Sequence, residues 1–338
     1  MSVRPQVVLS CATSIDGYLD DASSRRLLLS NAADFDRVDE LRANADAILV
    51  GATTVRADNP RLRVRSAARR AARETAGLPP TPLRVTLSRS GNVPDSFVDD
   101  NTIVYGDISL SDLLSDLSTR GVRRLLVEGG GSVLTSFLTS GLADELWLAV
   151  APFFVGDSRA PRFVHDGQFP RAVLASVHRL GNVAVHHYLL SQSTVDQYWL
   201  GEAIEVSRLC PPAETAFAVG AVVVDAQGEE LARGYSRETD DKVHAEESAL
   251  AKLPEDANLE GATIYSSLEP CGQRKSRPRT CTELILAAGI RRVVFAMREP
   301  PIFVPGDGAE KLEAGGATVV EFPAMAEAVR TINSHLPL

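Results

Sequence analysis

His244, Cys271 and Cys281 are residue types that bind zinc well, and a carboxylate, Glu246, stands two positions after the first of them. Glu269-Pro270-Cys271 follows closely on a β-like run, Ala262-Thr263-Ile264-Tyr265. His244 opens a run to Lys252 that reads as a helix start, and Cys281 opens another that ends at Gly289. Helix N-termini favour thiolate over thiol, so the ligand positions and the helix positions agree. Zinc held by one imidazole and two thiolates keeps a fourth position for water, whose pKa it can lower to roughly 7. A structural zinc usually closes with four protein ligands, and no fourth is evident here. Hydroxide chemistry on a ring carbon also needs a group to carry the proton, and Glu246 is the candidate.

The His-Ala-Glu and Pro-Cys elements, in this order, resemble the zinc nucleobase deaminases. Ala218 to Asp225, Gly228 and Gly234-Tyr-Ser are similar to the hairpin that precedes the His-Ala-Glu helix in that superfamily. Nine residues separate the two cysteines, where cytidine and tRNA deaminases usually have two. The longer insert resembles the deaminases of riboflavin biosynthesis, which act on a phosphorylated diaminopyrimidine. It carries Arg274, Lys275, Arg277 and Arg279, cations suited to a substrate phosphate.

The first half has a different set. Glu128-Gly129-Gly130-Gly131 follows a strand-like run and precedes a helix, where backbone N–H groups can close on a phosphate. Ser14-Ile-Asp-Gly17, the stretch from Asp46 through Thr54, Asp58 and Leu62, and Gly141-Leu-Ala-Asp-Glu-Leu fall in the order of one family. They resemble the reductase half of the bifunctional riboflavin-pathway deaminase–reductases, a dihydrofolate-reductase-like fold that uses NADPH. The resemblance implies that Thr54, Asp58 and the turn Gly129, Gly130, Gly131 and Ser132 line the dinucleotide, with Ser88 and Arg89 at its 2′-phosphate. It places Arg42, Leu62, Arg65 and Glu128 toward the substrate, the two arginines toward its ribose phosphate. No proton donor for the reduction is identified.

This chain departs from the common bacterial pattern in three ways. The reductase half comes first. Ala216-Phe217-Ala218 stands where the deaminase half usually carries Asn-Pro, and Leu28 replaces a frequent Trp. With the long insert, the second change is closer to the fungal type of pathway, in which the sugar is reduced before the ring is deaminated. The order of the two steps stays open.

These motifs need elements to hold them. Strand-like runs at Gln6–Cys11, Ala47–Val50, Arg84–Leu87, Thr102–Tyr105, Arg124–Val127, Glu145–Phe154 and Val183–Leu190 alternate with helices at Ala33–Ala45, Ser111–Arg120 and Ser132–Ser140. That predicts a largely parallel sheet covered on both faces. Ser66–Thr75, rich in Ala and Arg, reads as an exposed helix or loop. A polar break near 191–196 divides the chain. Beyond it, strands near 219–225, 262–267, 292–296 and 317–322 alternate with helices near 195–209, 244–252, 281–288 and 324–335. The expectation is an α/β protein of two domains: 1–190, dihydrofolate-reductase-like, and 191–338, a cytidine-deaminase-like three-layer α/β/α domain.

Composition bounds the partners. A net charge of −9 argues against a nucleic acid held on a broad basic face, and no run is apolar enough to span a membrane. Cys11 and Cys210 read as buried free thiols, and with no signal-peptide pattern a reducing cytoplasm fits. The expected partners are Zn2+, NADPH, a small phosphorylated pyrimidine and, through a sheet edge or face, a second copy in a homodimer. The expected function is NADPH-dependent reduction of a ribosylamino-pyrimidine 5′-phosphate to its ribityl form, plus hydrolytic deamination of the ring. Two alternatives stay open: the same chemistries on a related nucleotide of specialised metabolism, or an active deaminase beside a degenerate reductase domain that only binds.

Overall fold

Val7 and Leu9 pack to one side of their strand and Val8 to the other, and the next strands repeat the pattern. Leu125 and Val127 share the first side while Leu126 takes the second; Ala47 and Leu49 oppose Ile48 and Val50. Side chains of successive strand residues point to opposite faces, so a strand apolar at every position must be covered twice. The computed structural model describes residues 4–23, 25–300 and 306–336, which divide into two units between Thr194 and Val195.

The first unit runs β1 (Gln6–Thr13), α1 (Ala32–Ala43), β2 (Ala47–Gly51), α2 (Ala52–Asp58), α3 (Ala67–Thr75), β3 (Leu83–Leu87) and β4 (Thr102–Tyr105). It continues with α4 (Leu110–Thr119), β5 (Arg124–Gly129), α5 (Gly131–Thr139), β6 (Glu145–Val150), β7 (Val173–Leu180) and β8 (Val183–Leu189). The eight strands are ordered β4-β3-β2-β5-β1-β6-β8-β7. Pairings from β4 through β6 are parallel, and the last two are antiparallel. Leu113, Leu117, Leu134 and Phe137 of α4 and α5 cover one face, and Leu41 of α1 packs on the other. Because the parallel strands share a direction, β1, β2, β3 and β5 all end along one edge, where open α/β sheets bind ligands.

Two expectations change, and one given as helix or loop is met by a helix. The strand expected to reach Phe154 stops at Val150: Pro152 has no N–H to continue the ladder, and Phe154 is 70% exposed. β7 was not expected, because none of its positions is buried and exposed and half-buried residues do not alternate along it. The Ser66–Thr75 stretch is helix α3, capped by the Ser66 hydroxyl, and its one buried side chain, Arg73, donates to the carbonyls of Ala43, Ala45 and Pro79.

The second unit begins within α6 (Gln192–Ser207) and continues β9 (Gly220–Val224), β10 (Glu230–Tyr235), α7 (Ala245–Ala251), β11 (Thr263–Leu268), α8 (Cys281–Ala287) and β12 (Arg292–Met297). It closes with α9 (Gly308–Ala314), not expected from the sequence, β13 (Thr318–Glu321), a 3-10 turn at Pro323–Met325 and α10 (Ala326–Ile332). The sheet order is β10-β9-β11-β12-β13; β9 pairs antiparallel with both neighbours, and the other two pairings are parallel. Two glycines show that it is covered on both sides. A Cβ on Gly220 of β9 would lie 2.1 Å from the Ala203 carbonyl oxygen of α6. One on Gly234, across from the adjacent Ala221 and so on the opposite face, would meet the Ala249 nitrogen of α7 at 2.4 Å. Three layers result, with Ile264, Val293 and Val294 in the core. Among the described residues, no helix is long and apolar enough to cross a membrane.

Candidate active sites

In the second unit, His244 caps the N-terminus of α7, Cys271 lies three residues past the end of β11, and Cys281 is the first residue of α8. Thr280 starts α8 cleanly: its hydroxyl accepts from the Glu283 amide, and the Glu283 carboxylate accepts from the Thr280 N–H at 2.8 Å. The two helix starts and the strand end meet. His244 Nδ1 lies 3.5 Å from Cys271 Sγ and 3.4 Å from Cys281 Sγ, and all three ligand atoms are within 4.8 Å of one another. Among the described residues this is the one cluster of three or more potential metal ligands. The Cys281 thiol and the His244 imidazole pull Cys271 down to about 4, and the Cys281 amide points at its sulfur from 3.5 Å. Cys281 is pushed up by that neighbouring sulfur and by burial. A thiolate-binding cation would favour the deprotonated form of both sulfurs. An imidazole and two sulfurs converging, with no fourth protein ligand among the described residues, fit zinc in an open site.

Glu246, 3% exposed, stands beside this cluster. Burial raises its pKa against the opposing influence of His244, and the Ser266 hydroxyl donates to Oε1 at 2.8 Å. The sequence reading did not include Ser266, the fourth residue of β11. It also missed Glu299, two residues past the end of β12. Burial, then the charges of Cys271 and Glu246, push Glu299 up to about 8, and its buried Oε2 has no hydrogen-bond partner among the described residues. The available signal was position, since Glu299 lies just beyond the carboxyl end of a parallel strand.

The insert differs from expectation. Arg274 has a side chain only 2% exposed, with Nη1 2.9 Å from Glu247 Oε2. Arg277 reaches Asp240 at 2.5 Å and Glu247 at 3.5 Å. Carboxylates already occupy both guanidinium groups, which leaves Lys275 and Arg279 as the insert's exposed cations.

In the first unit two contiguous cavities open at the carboxyl edge of the sheet. The larger, about 1200 Å³, is lined by Thr54, Asp58, Ser88, Arg89, Gly129, Gly130, Gly131 and Ser132, among others. Thr54 Oγ1 accepts from the Gly130 amide at 3.3 Å. A Cβ on Gly131 would sit 2.2 Å from the Arg162 carbonyl oxygen, so only glycine lets α5 start so close to that segment. The Ser88 hydroxyl oxygen is buried at the cavity wall with no hydrogen-bond partner among the described residues, which suits an incoming polar group. These features fit a dinucleotide with its phosphates at the start of α5. Leu28 also lines this cavity and is 67% exposed. So do Arg162 and His165, which the sequence reading missed; His165 Nε2 lies 3.3 Å from Ser132 Oγ.

The smaller cavity, about 570 Å³, is lined by Arg42, Leu62, Arg65 and Glu128, and it shares Cys11, Thr54, Asp58 and Glu128 with the larger. Arg42 is not free for a phosphate. Its Nε and Nη2 each lie 2.6 Å from a Glu128 oxygen, and this pairing outweighs burial and raises its pKa. Arg65 has an exposed guanidinium stacked on Phe35, and Arg61, Arg63 and Arg70 line the same cavity. The signal for Arg61 and Arg63 lay in the alternation Arg61-Leu-Arg-Val-Arg65, whose Leu62 and Val64 are buried. Leu62 holds a left-handed φ of 46°, a strained backbone for a leucine, at the cavity wall. Cys11 and Cys210 are free and half-buried; burial pushes the Cys11 thiol up to about 12.

A family model described as the RibD C-terminal domain matches residues 5–186, and one described as the cytidine and deoxycytidylate deaminase zinc-binding region matches 193–297. The 2,5-diamino-6-ribosylamino-4(3H)-pyrimidinone 5′-phosphate reductase of Archaeoglobus fulgidus is 35% identical over 53% of this chain and 95% of its own length. The diaminohydroxyphosphoribosylamino-pyrimidine deaminase of Schizosaccharomyces pombe is 34% identical over 51% of this chain, which spans 42% of that protein. The solved RibD of Acinetobacter baumannii is 25% identical over 56% of this chain and 58% of its own, with a TM-score of 0.49. With a reductase domain ahead of a zinc-binding deaminase domain, the chain belongs to the RibD family of riboflavin-biosynthesis enzymes, in an order opposite to that implied by the name of its first domain.

Proposed function

We propose that this chain is a two-site enzyme acting on the phosphorylated pyrimidine intermediates of riboflavin biosynthesis. Its first unit reduces the ribosyl group of a ribosylamino-pyrimidine 5′-phosphate to ribityl, and its second hydrolytically deaminates the pyrimidine ring. The observation that carries the reading is the convergence of His244, Cys271 and Cys281 beside the buried carboxyl of Glu246.

His244, Cys271 and Cys281 would hold zinc, which when bound supplies Lewis-acid activation of water at neutral pH. Glu246 carries one proton from the water to the ring nitrogen and a second, from the added hydroxyl, to the departing amine; the Ser266 hydroxyl aims the carboxylate. Glu299 offers to the ring an oxygen that has no hydrogen-bond partner among the described residues. Lys275 and Arg279 are the insert's cations toward the phosphate.

In the first unit, Thr54, Asp58, Ser88, Arg89 and the Gly129–Ser132 turn would hold NADPH, which when bound supplies a hydride. Arg65, with Arg61 and Arg63, would bind the ribose phosphate. Glu128, paired with Arg42, lines both cavities, and the reductase residues would act mainly by positioning the nicotinamide against the sugar.

The test is a paired assay on zinc-loaded protein with NADPH and the diamino-ribosylamino-pyrimidinone phosphate, following product masses over time. Both a two-hydrogen gain and replacement of an amine by oxygen are expected, and the order of appearance gives the order of the steps. No mass change with zinc and NADPH both bound would reject this substrate.

A further inference from the structure

The insert between the two cysteines sets a physical problem. Two intervening residues fix the relative placement of two ligands almost by themselves. Nine residues leave the ends much freer, and ordering them costs conformational entropy. Something must hold this loop if Cys271 and Cys281 are to meet His244 before the metal arrives.

Arg274 is placed to do so. Its guanidinium contacts three groups: the Glu247 carboxylate at 2.9 Å, the Ser276 hydroxyl at 2.9 Å, and the Lys242 carbonyl. Two of these flank His244 in the chain. Lys242 precedes it by two residues, and Glu247, the third residue of α7, turns its Oε2 back to the His244 N–H at 3.5 Å. Arg277 reinforces the link through Asp240 and Glu247. On the other side of the loop, Gln273 donates to Asp307 at 2.9 Å and Lys311 to the Gly272 carbonyl at 2.6 Å. The side chain of Arg274 is withdrawn from solvent, so a substrate phosphate could reach it only by drawing it away from Glu247 and the Lys242 carbonyl.

We infer that Arg274 is a positioning residue of the metal site: through Glu247 and Lys242 it ties the inter-cysteine loop to the backbone on both sides of His244 and so pre-forms the three-ligand set. The inference rests on the reading of His244, Cys271 and Cys281 as zinc ligands. It moves Arg274 from substrate recognition to metal retention.

The experiment is a double-mutant cycle on the full chain with Arg274→Gln, Glu247→Gln and the pair, adding Arg274→Lys. Zinc affinity is measured by competition with a chromogenic chelator, and KM is measured for the phosphorylated pyrimidine and its dephosphorylated analogue. Groups that orient metal ligands commonly account for 10–100-fold in metal affinity. Arg274→Gln should lose about that much, Arg274→Lys less, and the double variant no more than the worse single. The ratio of the two KM values should not move. Unchanged zinc affinity with KM raised only for the phosphorylated substrate would overturn the inference and return Arg274 to phosphate binding. Additive losses would overturn the link through Glu247. Should Arg274→Gln fail to fold, the Glu247→Gln and Arg274→Lys affinities decide alone. Wild-type protein that takes up no zinc would overturn the site reading itself, and the inference with it.

Discussion

A carboxyl buried beside two sulfurs is an expensive arrangement, and Glu246 keeps it with a hydrogen bond from Ser266. Replacing the carboxyl by an amide preserves volume and removes the proton carrier. Glu246→Gln should therefore retain zinc, lose ammonia release by about 10²–10⁴-fold, and leave NADPH oxidation untouched. Zinc content with the two activities checks this, and surviving deamination would assign the shuttle elsewhere. Ser266→Ala removes one hydrogen bond to that carboxyl, a contribution of about 1.5–3 kcal/mol when the acceptor is charged. A ten- to hundredfold lower deamination kcat with little change in zinc affinity is expected. The ligands and Glu246 were legible because few residue types bind zinc and their order is distinctive. Ser266 and Glu299 were not, because a serine or glutamate near a strand end has no spacing that marks it. Arg42 and Arg274 show the converse limit: an arginine announces an anion, and only the fold shows whether that anion is a ligand or, as here, Glu128 and Glu247.

At the level of elements, tolerance is lowest where backbones touch. Gly131→Ala would drive a methyl into the Arg162 carbonyl, so α5 or the facing segment must shift. Overpacking of this kind costs about 1–3 kcal/mol. A lower Tm and weakened NADPH binding by fluorescence titration should appear together, with zinc and ammonia release intact. A second test concerns Glu145 at the start of β6. Burial pushes its carboxyl up, but His187, Arg124 and Trp147 outweigh that and hold it below the ordinary 4.5. A depressed carboxylate stabilises the fold above its unfolded pKa, and the contribution fades as pH falls through the folded value. Melting curves of Glu145→Gln should therefore show a lower Tm at neutral pH and a shallower fall below about pH 4.5 than those of the wild type. The central strands were readable because they are apolar on both faces. β7 escaped because it is an edge strand with no buried position, and α9 because seven residues beginning with glycine carry too little helical pattern.

For the molecule as a whole, the net charge of −9 opposes a phosphorylated ligand, so the cations that bind it must act locally. Arg61, Arg63 and Arg65 at one cavity and Lys275 and Arg279 on the insert are such local concentrations. The reductase and deaminase residues also lie in different units with separate cores. If each site is complete within its unit, removing one cofactor should not silence the other activity. Chelation is the cleanest probe. Zinc held by His244, Cys271 and Cys281 would cross-link the start of α7, the loop after β11 and the start of α8, so extracting it removes those links. Chelator-treated protein should lose ammonia release and melt earlier by calorimetry, while NADPH affinity and oxidation stay within about twofold of the untreated enzyme. Zinc should restore the first two properties. If chelation abolished NADPH oxidation as well, the two sites would have to depend on each other, because none of the residues assigned to the dinucleotide can bind zinc through the cluster at His244.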